Sequence, residues 1–158
     1  DWFRVFPDAT AQFHHFRVDP FEPNRVWFQA RGTGLHSGRG EPGTDTAIMF
    51  GEPTNIRYHN APQAGSLRFT EDGRVNQFTI GYVMDRYVGN TGGLGGFFGP
   101  LHAIGKGLPI DECKPWEPSL GYQIYVTLGD AFNRLRAGLE GKDAKRIIVM
   151  PKGSAKSP

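Results

Sequence analysis

Three groups of side chains in this 158-residue chain have the types that can move a proton: Asp85, the run Arg57-Tyr58-His59, and the adjacent His14 and His15. A carboxylate or imidazole beside a hydroxyl and a guanidinium acts as general acid or base once burial moves its pKa toward neutrality. In such a site Asp85 would shuttle the proton, and Tyr58 or His59 would donate to a developing oxyanion. The simpler reading has Asp85 paired with Arg86 or Arg57, or capping the turn after it. The histidines are then ordinary hydrogen-bonded residues, and the sequence favours this second reading.

Other chemistries find less support. His14 and His15 fall in an expected strand, where neighbouring side chains point to opposite faces and cannot share one ion, so no metal site is expected. Gly38-Arg39-Gly40-Glu41-Pro42-Gly43 fits the spacing of a dinucleotide loop. It contains a proline and leads into no periodic helix, so it lacks the helix terminus that binds phosphate. Gly105-Lys106-Gly107 lacks the Ser or Thr and the upstream spacing of a phosphate loop and reads as a turn. There is no Gly-x-Ser-x-Gly, and the one cysteine, Cys113, sits in a proline-flanked loop without a nearby histidine. Covalent catalysis is therefore disfavoured, and a lone cysteine fits a reducing compartment.

The elements that would position these residues are mostly strands. Residues 11–18 and 25–34 carry aromatic and β-branched side chains around the turn Asp-Pro-Phe-Glu-Pro-Asn, which reads as a hairpin. In the second strand Val26, Phe28 and Ala30 share a packing face, with Trp27 and Gln29 on the other. Residues 35–53 break into Gly and Pro and read as a long loop bordering a site. Strands are expected over 54–60 and 65–70, then the turn Glu71-Asp72-Gly73, then a strand over 74–86 with Phe78, Ile80, Tyr82 and Met84 as its core face. The glycine-rich segment 89–107 admits a short helix around Leu94 to Ile104, held only by packing because glycine costs about 1 kcal/mol per position relative to Ala. Ser119 is an N-cap for a helix through Leu139, and 146–150 is an edge strand or docked tail. The sum is an α+β fold, with one domain over 1–141 and a basic tail over 142–158.

Composition bounds the partners. The net charge is +2, but the tail holds Lys142, Lys145, Arg146, Lys152 and Lys156 against Asp143 alone, leaving the body slightly acidic. A body without a basic face argues against a nucleic-acid enzyme. The longest stretch free of formal charge, 87–105, is too rich in glycine for a transmembrane helix, so any membrane association is expected to be peripheral. The chain begins without Met, which fits removal of an upstream targeting segment.

The run FPDATAQFHHFRVDPFEPNRVWFQARGTGLHSG resembles the FPD, strand, acidic turn, RVW strand and GTG-x-H-x-G stretch of SnoaL-like proteins in the nuclear transport factor 2-like (NTF2-like) superfamily. LRFTEDGRVNQFTIGYVMD resembles the same family's FxEDGKI hairpin and long strand, and the glycine-rich segment looks like the version in plastid proteins of algae. The resemblance spans about Phe6 to Asp85. It implies a strongly curved antiparallel sheet, a cone, wrapped on a helix, with a pocket whose enzymes use an Asp or His without metal or organic cofactor. Asp85 matches the cyclases' Asp, and His36 matches a histidine that is mostly structural. The family's N-terminal helices are missing or reduced here, so an open cone would show an apolar patch to a partner.

The expectation is a non-catalytic NTF2-like accessory subunit docking on a larger assembly, a photosystem or antenna complex in a plastid. Its interface residues would be Trp27, Phe97, Phe98, Leu101, Lys145 and Arg146. The alternatives are a cofactor-free isomerase or cyclase acting on a small hydrophobic carbonyl compound through Asp85, Tyr58 and His59, and a carrier of an apolar ligand or pigment. A cytoplasmic location is the alternative to the plastid.

Overall fold

The structure, a computed structural model, describes residues 1–139. The expected strand at 146–150 and the basic tail with Lys145 and Arg146 lie outside the described residues. The chain divides into two compact units, Asp1–Pro115 and Trp116–Pro158. Pro109, Pro115 and Pro118 stand around that boundary, where fixed φ angles and missing N–H groups interrupt regular structure.

The first unit is α+β. Its main sheet contains β1 (His14–Val18), β2 (Arg25–Ala30), β5 (Gln63–Phe69) and β6 (Val75–Val83). Their order is β1-β2-β5-β6 and every pairing is antiparallel. The Asp-Gly turn joins β5 to β6 as expected, with Gly73 at φ 78°. Two further strands, β3 (Thr33–Leu35) and β4 (Arg57–His59), form a separate ribbon. The expected strand 25–34 is thus two strands. The break falls at Arg31-Gly32, where a Cβ on Gly32 would lie 2.9 Å from the Asn60 amide. Because the ribbon leaves the main sheet there, the sheet stays open between edges β1 and β6, and no closed or strongly curved cone is seen.

Three short α-helices, α1 (Trp2–Val5), α2 (Asp45–Phe50) and α3 (Phe98–Ala103), and a 3-10 turn over Asp111–Cys113 complete this unit. The region 35–53, read as loop, contains α2, capped by Thr44 Oγ1 accepting from Ala47 N–H at 3.2 Å. The core gathers Val5, Phe6, Phe50, Tyr58, Leu101 and Ile104, with Trp2 and Met49 packed against it. Phe6 is its hub, edge-on to Phe50 at 5.3 Å and Tyr58 at 5.0 Å, and tilted 4.6 Å from Trp2. Gly38 permits the closeness: a Cβ there would lie 1.8 Å from the Arg4 carbonyl oxygen.

The second unit contains α4 (Leu120–Leu139). Ser119 caps it as the sequence indicates, its Oγ accepting from Tyr122 N–H at 3.2 Å. Among the described residues no helix is long and apolar enough to cross a membrane.

Candidate functional site

The two faces of the main sheet differ sharply. On one, β2 and β5 bring a polar network together. Arg25 donates to Ser66 Oγ at 2.9 Å, to Glu22 at 2.9 Å and to Gln77 at 3.3 Å, and Ser66 Oγ lies 2.7 Å from Thr79 Oγ1. The guanidinium sits 5.9 Å from the Trp27 ring, whose indole N–H donates to Asp19. That bond, with backbone N–H groups of Phe21 and Glu22, holds the Asp19 carboxyl below the usual carboxylate range. Trp27 is half-buried and its polar edge is already partnered.

The other face is phenylalanine. Val26 pairs with Leu67, Leu67 with Phe78, and Phe28 with Gly65, so these positions look the same way. A Cβ on Gly65 would lie 2.6 Å from the Phe28 ring, so glycine is what lets that ring lie flat across β5. Phe13 meets it edge-on at 5.1 Å, Phe16 lies at 6.2 Å, and Phe78 stacks at 6.2 Å. Phe28 is 3% exposed, whereas Phe13, Phe16 and Phe78 are 51%, 62% and 53% exposed. Val18 and Ile80 extend the apolar surface. None of the first unit's own elements covers this face. Of the set expected as the core side of the last strand, Phe78 and Ile80 lie on this face and are exposed. The register slip at Gly81 breaks the period-2 pattern and turns Tyr82, paired with Ala64, to the polar face, where it is exposed as well.

The residues expected to move protons are dispersed. Asp85 is exposed and accepts from Tyr87 N–H at 3.0 Å, capping the turn that ends β6. Tyr58 is 3% exposed, and burial pushes its phenol up to about 12, with a hydrogen bond from Trp2 opposing. His59 is exposed on β4, its Nδ1 3.3 Å from Thr33 Oγ1 and its N–H donating to Asn90. Arg57 pairs with Asp8, whose carboxyl is lowered by the Leu35 N–H and by that guanidinium. No hydrogen bond or ion pair joins Asp85 to Tyr58 or His59 among the described residues.

His36, matched to a structural position, is buried against Phe6 and Phe50. Its Nδ1 accepts from Thr54 N–H at 3.2 Å and lies 3.1 Å from Thr54 Oγ1, while its backbone bridges Ile56 and Asn55. Burial, and then the charge of Lys106, push its imidazole below its ordinary value. Lys106 itself donates to the carbonyls of Phe50 and Glu52, closing α2.

Of the expected interface residues, Phe97 is exposed and edge-on to Trp2 at 5.4 Å, and Phe98 is half-buried. Leu101 is fully buried in the core, so its apolar surface is already covered by its own unit. Sequence reading missed Phe13 and Phe16 as surface residues, because their β-propensity and spacing look the same whether or not something covers them. His14 and His15 also depart from expectation. Their rings are not on opposite faces but 4.8 Å apart, because His15 adopts φ 54° and the β1–β2 register shifts between His14 and Arg17. Groups of three or more His, Cys, Asp or Glu side chains able to hold a metal are absent among the described residues. The chain matches no known family model and no curated protein.

Proposed function

We propose that this chain is a non-catalytic accessory subunit that docks onto a larger protein assembly through the phenylalanine face of its main sheet. The observation carrying this reading is the set Phe13, Phe16 and Phe78, each more than half exposed around a buried Phe28. Contiguous apolar surface of this kind marks interaction sites, because covering it gains about 25 cal/mol per Å². Four strands at about 4.8 Å spacing present a face about 14 Å between outer strand axes, which suits one helix about 10–12 Å in diameter. The occupant is therefore an apolar stripe of a partner's helix. On the opposite face Arg25, Ser66, Thr79 and Trp27 are satisfied within the chain.

Within the NTF2-like resemblance, the face corresponds to the side of the sheet that the family's own elements enclose, and here the partner supplies that cover. The glycine-rich segment then points to a plastid, and a photosystem or antenna complex is the assembly. The proton-transfer alternative draws no support from Asp85, whose carboxylate is exposed and engaged in a turn.

The test is co-sedimentation of the full chain with detergent-solubilised thylakoid complexes on a density gradient. The wild type should migrate with a photosystem or antenna fraction, and the Phe16→Ser/Phe78→Ser variant should remain near the top. A wild type that stays at the top, one that forms only a homodimer, or a variant that co-migrates equally would overturn the reading.

A further inference from the structure

Edge strand β1 opens on a local distortion. Gln12 and His15 have φ of 48° and 54°, a backbone region that non-glycine residues seldom adopt, on either side of His14. The pairing with β2 slips between His14 and Arg17. A bulge of this kind re-aims side chains, and here it brings two imidazoles to a centroid separation of 4.8 Å at 65°.

Both rings are also held through the same nitrogen. His14 Nδ1 lies 2.7 Å from the Gln12 carbonyl oxygen, which can only accept, so the ring proton sits on Nδ1. His15 Nδ1 lies 3.1 Å from the Gln29 side-chain amide oxygen. Each ring thus has its Nδ1 anchored beside an oxygen and its Nε2 left as the nitrogen available to a ligand. That is the arrangement in which histidines ligate metals, since the outer hydrogen bond fixes the ring and raises ligand basicity. The spacing fits as well. With metal–nitrogen bonds of about 2.0–2.1 Å, two imidazoles in neighbouring positions on one ion hold their centroids about 4.5–5.2 Å apart.

We propose that His14 and His15 form a two-imidazole site for a divalent late transition-metal ion, with copper(II) bound in preference to zinc(II) and nickel(II). Imidazole suits all three ions, and the general affinity order places copper(II) first. No third His, Cys, Asp or Glu side chain joins the pair among the described residues. Water fills the remaining positions, and the affinity is that of two neutral nitrogens in a pre-set geometry. Gln29 is a positioning residue, acting through His15.

The test is titration of the full chain with copper(II) in a non-chelating buffer at neutral pH, read by calorimetry and by electron paramagnetic resonance. One ion should bind per chain, with nitrogen hyperfine structure from two imidazoles. His14→Ala and His15→Asn should each weaken binding at least tenfold and remove that signature. Asn tolerates the left-handed backbone, so the second variant keeps the fold. Gln29→Leu should weaken binding by a smaller factor, and His59→Ala should leave it unchanged. An affinity that survives both His14→Ala and His15→Asn, or a two-nitrogen spectrum that persists in the double variant, would overturn the proposal.

Discussion

The first unit carries two clusters of phenylalanine built from the same contacts. Around Phe6 the rings meet edge-on at 5.0–5.3 Å, and around Phe28 Phe13 meets it edge-on at 5.1 Å. What separates them is the backbone that lies over them. Phe6 is enclosed by the ribbon β3–β4 and by α1, α2 and α3, which Gly38 and Lys106 let close tightly. Phe28 is ringed by Phe13, Phe16 and Phe78, each more than half exposed. Aromatic clustering thus marks apolar surface, whereas the covering segments decide whether that surface is core or interface.

The largest effect expected from this contrast lies at Phe6. Phe6→Ala should destabilise the first unit by about 3–5 kcal/mol, because the emptied volume is walled on all sides and cannot collapse. The urea midpoint of the variant measures it, and a loss below about 1 kcal/mol would erase the distinction between the clusters.

An intermediate effect sharpens the contrast through pH. The unfolded chain protonates His36 near 6.5, while the folded chain, with the imidazole desolvated and Nδ1 occupied by Thr54, protonates it only at lower pH. Its folded-state pKa is depressed, so the associated stability is present above pH 6.5 and lost as pH falls through the folded value. The slope reaches at most about 1.4 kcal/mol per pH unit. Urea midpoints should fall from pH 7.5 to 5.5, and His36→Gln should flatten that dependence. An equal slope in the variant would remove His36 from the enclosed cluster.

The smallest effect belongs to the open cluster. Phe16→Ala should change stability by about 0.5 kcal/mol or less, as substitutions at exposed positions do. A loss comparable to that of Phe6→Ala would show that Phe16 is covered in solution.

Much of the strand framework was legible in the residues. Val26, Phe28 and Ala30 announced the packing side of β2, Asp72-Gly73 announced the last hairpin, and Ser119 with its leucine steps announced α4. Boundaries failed where a residue adopted an unusual backbone conformation. β1 starts at His14 rather than Ala11 because Gln12 is left-handed, and β6 ends at Val83, shortly after Gly81 at φ 98°. The helix α2 hid in a glycine- and proline-rich stretch, although Thr44 followed by Asp45 is a usable start signal. The enclosed cluster was the least legible part. It joins Trp2 and Phe6, Phe50, and Leu101 from three distant segments, and no local period records such a meeting. The candidate interface was half legible: the apolar sides of β2 and β6 were visible, but the lack of a cover is a property of the assembled unit.

The kink in β1 has a consequence for solubility. A sheet with a greasy side and a straight free margin invites further strands to zip onto it, chain after chain. With Gln12 and His15 left-handed and the ladder out of step before Arg17, that margin cannot template a regular ladder. Growth in the sheet plane is blocked at this border, and association is steered onto the phenylalanine side instead.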